Sequence, residues 1–322
     1  MTKIKITILT CIFILMLVSS VSLNESSQVK KVHNTLEEIQ ACENKIKLNL
    51  VRVWGDEQTS DEKYIFYRPK DIDIRKDGLL IYICDSGNNR IQVYDHSGKF
   101  YTSIGKKGQG PGDFSNPLSI ALDKYNNIYV GDYQNYRVQI LNRKGNYISS
   151  FDIKEGNVSR IAITKRNEIA IYNHQETFNS SNLIHLYDKK GNLIRRIGKH
   201  KDYKSKDEFY PLSIQTVNFV LDNNDNFFIS YANEPYIAKY SHDNKLLHVI
   251  TFDMPFKIKR YRFVKQGYDM KIIGDQVSAG IAVDESDRIY LVITTRPRKK
   301  SEITTMTASG KGATRTIGTR RV

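Results

Sequence analysis

The sequence predicts an all-β protein assembled from repeated four-stranded units. Three observations carry this. Among 322 residues Tyr is abundant (20), while Pro (7) and Trp (1) are scarce; Tyr and Ile favour strands, and Asn and Gly favour the turns between them. A segment recurs at an offset near 47 residues. Inside each copy, short apolar runs are separated by polar turns rich in Asp, Asn and Gly. Hydrophobic residues make up 40% of the chain, enough to bury a sizeable core.

The N-terminus reads MTKIKITILTCIFILMLVSSVSLNESS. Lys3 and Lys5 precede an uncharged run from Ile6 to Leu23, with small residues at Ser19, Ser20 and Ser22. This is the layout of a secretory signal peptide, residues 1–22, with cleavage after Ser20 or Ser22. The alternative is a retained anchor, because eighteen uncharged residues just span a bilayer. The expected location is therefore exported: periplasm, cell envelope or exterior. A membrane enters only through an uncleaved N-terminal segment. Cys11 lies inside the apolar run, which argues against a lipoprotein. Export would permit a Cys42–Cys84 disulfide, but two separate thiols, with Cys84 a small core residue, are the simpler expectation. Residues 23–45 are polar and read as a linker. Residues 46–53 (IKLNLVRV) alternate like a strand.

The repeat follows, over residues 46–295. Residues 79–100 (LLIYICDSGNNRIQVYDHSGKF) match residues 126–147 (NNIYVGDYQNYRVQILNRKGNY) at an offset of 47: Tyr82 with Tyr129, Asp85 with Asp132, Arg90 with Arg137, Gly98 with Gly145. A third copy spans 167–193 with an insertion, and a fourth spans 225–246, where Asn244 replaces the turn glycine. Asn tolerates the left-handed backbone such a turn requires. A fifth begins at 286–295. A further apolar run precedes each copy: 71–74, 118–122, 160–163, 218–221 and 280–283. Four short strands per 40–50 residues is the arrangement of a β-propeller blade. Runs that are apolar at nearly every position suit strands buried on both faces.

The stretches IYICDSGNNRIQVYDHSGKF and NIYVGDYQNYRVQILNRKGNY, joined by GKKGQGPGDFSNP, resemble NHL repeats. The whole layout is similar to the exported bacterial six-bladed β-propellers of the NHL-like group. That resemblance implies six blades, with the strand at 46–53 completing the last one. Four blades, half a fifth and one N-terminal strand fall short of six.

The tail 296–322 shows no strand period, and six of its 27 residues are apolar. It is expected to be irregular: either a basic arm on a short propeller, or truncated or out-of-frame sequence. It carries eight Lys or Arg against Glu302 alone, half of the formal net charge of +14. The body is only mildly basic, so a nucleic-acid partner is not expected.

Chemistry is sparsely marked. The run 105–112 (GKKGQGPG) lacks the Lys-Ser/Thr and the following helix of a phosphate loop, and reads as an inter-blade connection. The histidines share no repeat position, and no metal or catalytic set can be named by spacing. The candidate binding residues are those repeating at the turn between strands two and three: Asp85, Asn89 and Arg90, then Asp132, Asn135 and Arg137. Repetition with the fold also suits a structural role, Asp and Asn holding backbone amides. Tyr133, Tyr136, Tyr231 and Tyr236 are candidate loop aromatics, with Tyr203, Phe209 and Tyr210 beside them. No catalytic residue, metal site or cofactor is expected. The leading functional expectation is a scaffold for a protein, peptide or carbohydrate ligand. The alternative, implied by the resemblance to amidating lyases and lactonases, is a hydrolase or lyase holding Zn or Ca in the channel.

Overall fold

The structure is a computed structural model. It describes residues 29–37, 60–154, 156–173, 182–199, 217–232, 234–254, 262–266, 269–273, 278–284, 289–293, 305–308 and 313–314. The expected signal peptide, Cys42, the strand at 46–53 and the loop aromatics Tyr203, Phe209 and Tyr210 lie outside these residues. The chain divides into two compact units. The described residues of the first lie between 60 and 199, and those of the second are 29–37 and 217 onward.

The strands in chain order begin with β1 (Lys30–Asn34). In the first unit three blades follow, each a four-stranded antiparallel meander. Blade one is β2 (Asp71–Ile74), β3 (Leu80–Asp85), β4 (Arg90–Asp95) and β5 (Phe100–Ile104). Blade two is β6 (Pro117–Leu122), β7 (Ile128–Asp132), β8 (Arg137–Leu141) and β9 (Tyr147–Asp152). Blade three is β10 (Arg160–Ile163), β11 (Ile169–Tyr172), β12 (Asn182–Tyr187) and β13 (Leu193–Lys199).

The period of two explains the unbroken apolar runs. On β3, Leu80, Tyr82 and Cys84 face blade two and pack with Ile120, Ile128, Val130 and Leu141. Ile81 and Ile83 face the other way, against Phe66 and Tyr94. On β7, Tyr129 instead joins Ile161, Ile169 and Ile171 of blade three. Alternate residues of one strand thus fill two cores, so both sets are apolar.

Asx turns close the meanders. Asn142 accepts the amides of Lys144 and Asn146 through Oδ1, and Asp188 does the same for Lys190 and Asn192. Gly145 has φ +83, and a Cβ there would stand 2.8 Å from Ile104. In the second unit Asn244 takes the same conformation at φ 64, as its substitution for glycine required.

The second unit holds blade four: β14 (Val217–Leu221), β15 (Phe227–Tyr231), β16 (Tyr236–Tyr240) and β17 (Leu246–Phe252). The segment read as a linker contributes a fifth strand to it. β1 pairs parallel with the outer strand β17, Val32 opposite Ile250. Next come a hairpin, β18 (Arg262–Gln266) and β19 (Asp269–Ile273), and a pair, β20 (Ser278–Val283) and β21 (Ile289–Ile293). Ile281, Val283, Ile289 and Leu291 pack on Phe228, Ile237, Ile250 and Phe252 of blade four. The tail, expected to be irregular, contains β22 (Thr305–Ala308) and β23 (Ala313–Thr314), with β22 pairing to β19.

Candidate functional site

The turn between strands two and three is built identically in blades one and two. Each begins with an Asp at the end of strand two, runs through a short 3-10 segment, and ends in a left-handed residue before an Arg. Asp85 accepts the Tyr67 amide through Oδ1 at 2.8 Å, and Asn88 Nδ2 and Arg90 Nε through Oδ2, both at 2.9 Å. Arg90 then donates through Nη2 to the carbonyls of Glu62 and Ile65. Asp132 repeats this with the Ser115 amide (2.7 Å), Asn135 Nδ2 (2.8 Å) and Arg137 Nε (2.9 Å). Arg137 reaches the carbonyls of Gly110 and Asp113. Both carboxylates are fully buried. Each Asp–Arg pair therefore staples the incoming inter-blade connection to the blade's own turn. The glycine-rich run 105–112 is that connection in blade two, and Gln139 fastens it further by accepting the Gly112 amide.

Asn89 is the one candidate here that sits differently from its supposed partner. The residue equivalent to Asn135 is Asn88. Asn89 occupies the left-handed position at φ 57, matched by Tyr136 at φ 55. Its Oδ1 accepts the Asn116 amide, linking blade one to blade two. Tyr136 is 52% exposed. Tyr133 is half-buried, and its carbonyl accepts Asn157 Nδ2. In the second unit Tyr231 is 2% exposed and meets Tyr236 edge to face at 5.3 Å. Burial pushes the Tyr236 phenol up to about 12. Of the four candidate aromatics among the described residues, Tyr136 is the exposed one.

A second repeating device lies on the first strands, β2, β6 and β10, which stand side by side in the first unit. Asp71 Oδ2 accepts the Ser119 hydroxyl at 2.5 Å and the Ile120 amide at 3.0 Å. Asp73 Oδ2 accepts the Leu122 amide at 2.7 Å. Ser119 Oγ in turn accepts the Ile161 amide at 3.0 Å. The carboxylates and the hydroxyl cap edge amides that no strand pairs, so a blade is tied to the next without a continuous sheet. Burial raises the Asp73 carboxyl to about 6 against the opposing backbone bonds. No spacing argument singled out these residues.

Cys84 is a buried free thiol whose Sγ donates to the Pro117 carbonyl. Burial pushes it well above the ordinary thiol range. Among the described residues no three His, Cys, Asp or Glu side chains group as metal ligands. Among them, too, no helix is long and apolar enough to cross a membrane.

The solved structures similar to this chain include a candidate exported protein of Bacteroides fragilis. It is 16% identical, with a TM-score of 0.50, over 83% of this chain and 80% of that one. Virginiamycin B lyase from Staphylococcus aureus is 14% identical, with a TM-score of 0.42, over 69% and 79%. Hydrazine synthase of Kuenenia stuttgartiensis is 11% identical, with a TM-score of 0.45, over 77% and 79%. These likenesses concern the fold alone. No curated protein matches the chain by sequence. A family described as "6-bladed beta-propeller" matches residues 58–273, across blades one to four of the described residues and into the strands beyond them. The chain belongs to that six-bladed β-propeller family.

Proposed function

We propose that the protein is an exported NHL-like β-propeller that works as a binding scaffold for a protein, peptide or carbohydrate ligand. The observation carrying this reading is the use made of the repeating polar residues. Asp85, Arg90, Asp132 and Arg137 are engaged with one another and with backbone carbonyls and amides. Residues so bound hold a frame; they are poorly placed to move protons or take a ligand. The frame fixes turns whose own side chains vary from blade to blade, which is how one fold hosts unrelated ligands. Export is supported by the charge, apolar run and small residues of 1–22. No cofactor is required for this role.

The test is a binding screen of the mature chain on peptide and glycan arrays, run beside turnover assays with lactone and peptide-amide substrates. Binding without turnover, indifferent to chelator, is the expected result. Metal-dependent turnover abolished by chelator would overturn the scaffold reading. Export is tested by fusing residues 1–28 to a reporter enzyme that is active only outside the cytoplasm; an inactive fusion would overturn it.

A further inference from the structure

In a meander the turns joining strands one to two and three to four lie at the same end of the blade. In blade two these are 123–127 and 142–146, and between them opens a depression of about 470 Å³. It is lined by Tyr125, Asn127, Asn142, Arg143, Lys144 and Asn146. No acid is among them. Asp123, the one acid in these turns, is fully buried and faces Lys189 Nζ at 3.4 Å.

Both walls are rigid. Asp123 Oδ1 accepts the amides of Tyr125 and Asn127, and its Oδ2 accepts Asn127 Nδ2. Asn142 holds the other turn as described. The groups facing solvent are not engaged. Among the described residues, the Arg143 guanidinium, the Lys144 ammonium, the Asn146 carboxamide and the Tyr125 hydroxyl have no hydrogen bond or ion pair. The Tyr125 ring is 61% exposed, with Lys124 Nζ 5.1 Å from its centroid.

The neighbouring turns of blade three extend the charge. They bring Lys165, Arg166, Lys189 and Lys190, all exposed, against Glu168 and Asp188. At the opposite end of blades one and two, Arg90 and Arg137 are neutralised by Asp85 and Asp132. At the depression's end of blades two and three, seven cations (Lys124, Arg143, Lys144, Lys165, Arg166, Lys189 and Lys190) thus stand against three acids (Asp123, Glu168 and Asp188).

We propose that this depression binds a negatively charged saccharide, its carboxylate or sulfate held by Arg143 and Lys144 and a sugar ring resting on Tyr125. The inference rests on the scaffold reading and gives its ligand a class. The volume suits a ligand of one or two sugar rings. Unengaged cations supply the charge-assisted bonds an acidic group needs, and a free carboxamide matches sugar hydroxyls, which both donate and accept. A strand of nucleic acid would call for several stacking rings along a groove, and Tyr125 is the one ring in this lining.

The experiment is titration calorimetry of the mature full-length chain with four probes: a short oligogalacturonate, a chondroitin-sulfate oligosaccharide, the methyl-esterified oligogalacturonate, and an oligothymidylate of equal charge. At least one acidic saccharide is expected to bind, weakening with salt, and the esterified form to bind at least about tenfold more weakly. Arg143→Ala with Lys144→Ala is expected to cost about tenfold or more at an unchanged unfolding temperature, because neither side chain holds the fold. Tyr125→Ala is expected to weaken saccharide binding alone. No binding of either acidic saccharide, oligothymidylate binding as tight as theirs, or indifference to these substitutions would overturn the proposal. The array screen separates the two readings: another ligand bound there leaves the scaffold standing while this site falls, and metal-dependent turnover removes the scaffold itself.

Discussion

Ser119 of blade two donates its hydroxyl to Asp71 of blade one and accepts the Ile161 amide of blade three, so one buried side chain joins three blades. It is 1% exposed. Ser119→Ala would leave the Ile161 amide buried without its partner and remove one bond from Asp71. The expected cost is about 1–3 kcal/mol, read as a lower urea midpoint. A surface change such as Lys144→Ala is expected to leave that midpoint unmoved.

Asp73, beside it, makes stability depend on pH. Its folded-state value is raised to about 6 by burial, with Asp71 adding to the rise and Lys76 opposing it, against about 3.9 in an unfolded chain. A carboxyl raised in this way holds its proton more tightly in the folded state. Its contribution is therefore fully present below about pH 4 and is lost as pH rises through about 6. Asp73→Asn keeps an oxygen for the Leu122 amide and removes the titration. Relative to the parent, this variant is expected to gain up to about 3 kcal/mol between pH 4 and pH 7. Parallel stability curves over that range would contradict the assignment.

Tyr136 holds a left-handed conformation that costs a bulky residue free energy, whereas blade one uses Asn89 at the same position. Its ring is half exposed, so little packing is lost on replacement. Tyr136→Asn is expected to stabilise by about 0.5–1 kcal/mol, seen as a rise in unfolding temperature. A fall would show that the Tyr136 ring supports the turn.

The Cys84 thiol is buried between blades and held protonated by its surroundings. Thiolate is the reactive form, so iodoacetamide is expected to leave Cys84 unmodified in native protein and to label it in urea. Peptide mass mapping distinguishes it from Cys42.

The blades were legible in the sequence because one residue set answers two demands. The runs at 71–74 and 160–163 coincide with β2 and β10, and β3 and β7 are buried at every position because alternate residues of each enter different cores. Asp and Asn turns marked their ends. The links between blades were not legible. Asp71 and Ser119 pair with Cys84 and Gly131, which are 47 residues apart, but the β6 irregularity between Pro117 and Ser119 shifts one strand by a residue. A fixed offset therefore sets Asp71 against Leu118. The strand β1 was hidden because KKVHN adds to an outer edge, where one face stays solvated and apolar periodicity is weak. The basic depression escaped a count along the chain, because only the meander brings residues 125 and 143 to one end of a blade.

The central claim is that the repeating Asp–Arg turns are frame and not ligand site. The direct measurement is the unfolding temperature of Asp132→Ala, of Arg137→Ala and of the double variant, beside binding of whichever ligand the array finds. Asp132 is fully buried and Arg137 nearly so, and removing one member of such a pair costs about 3–5 kcal/mol. Each single variant is expected to unfold at a markedly lower temperature, the double variant to lose less than the sum of the two, and binding at temperatures where they remain folded to match the parent. Parent-like stability with binding abolished would contradict the claim.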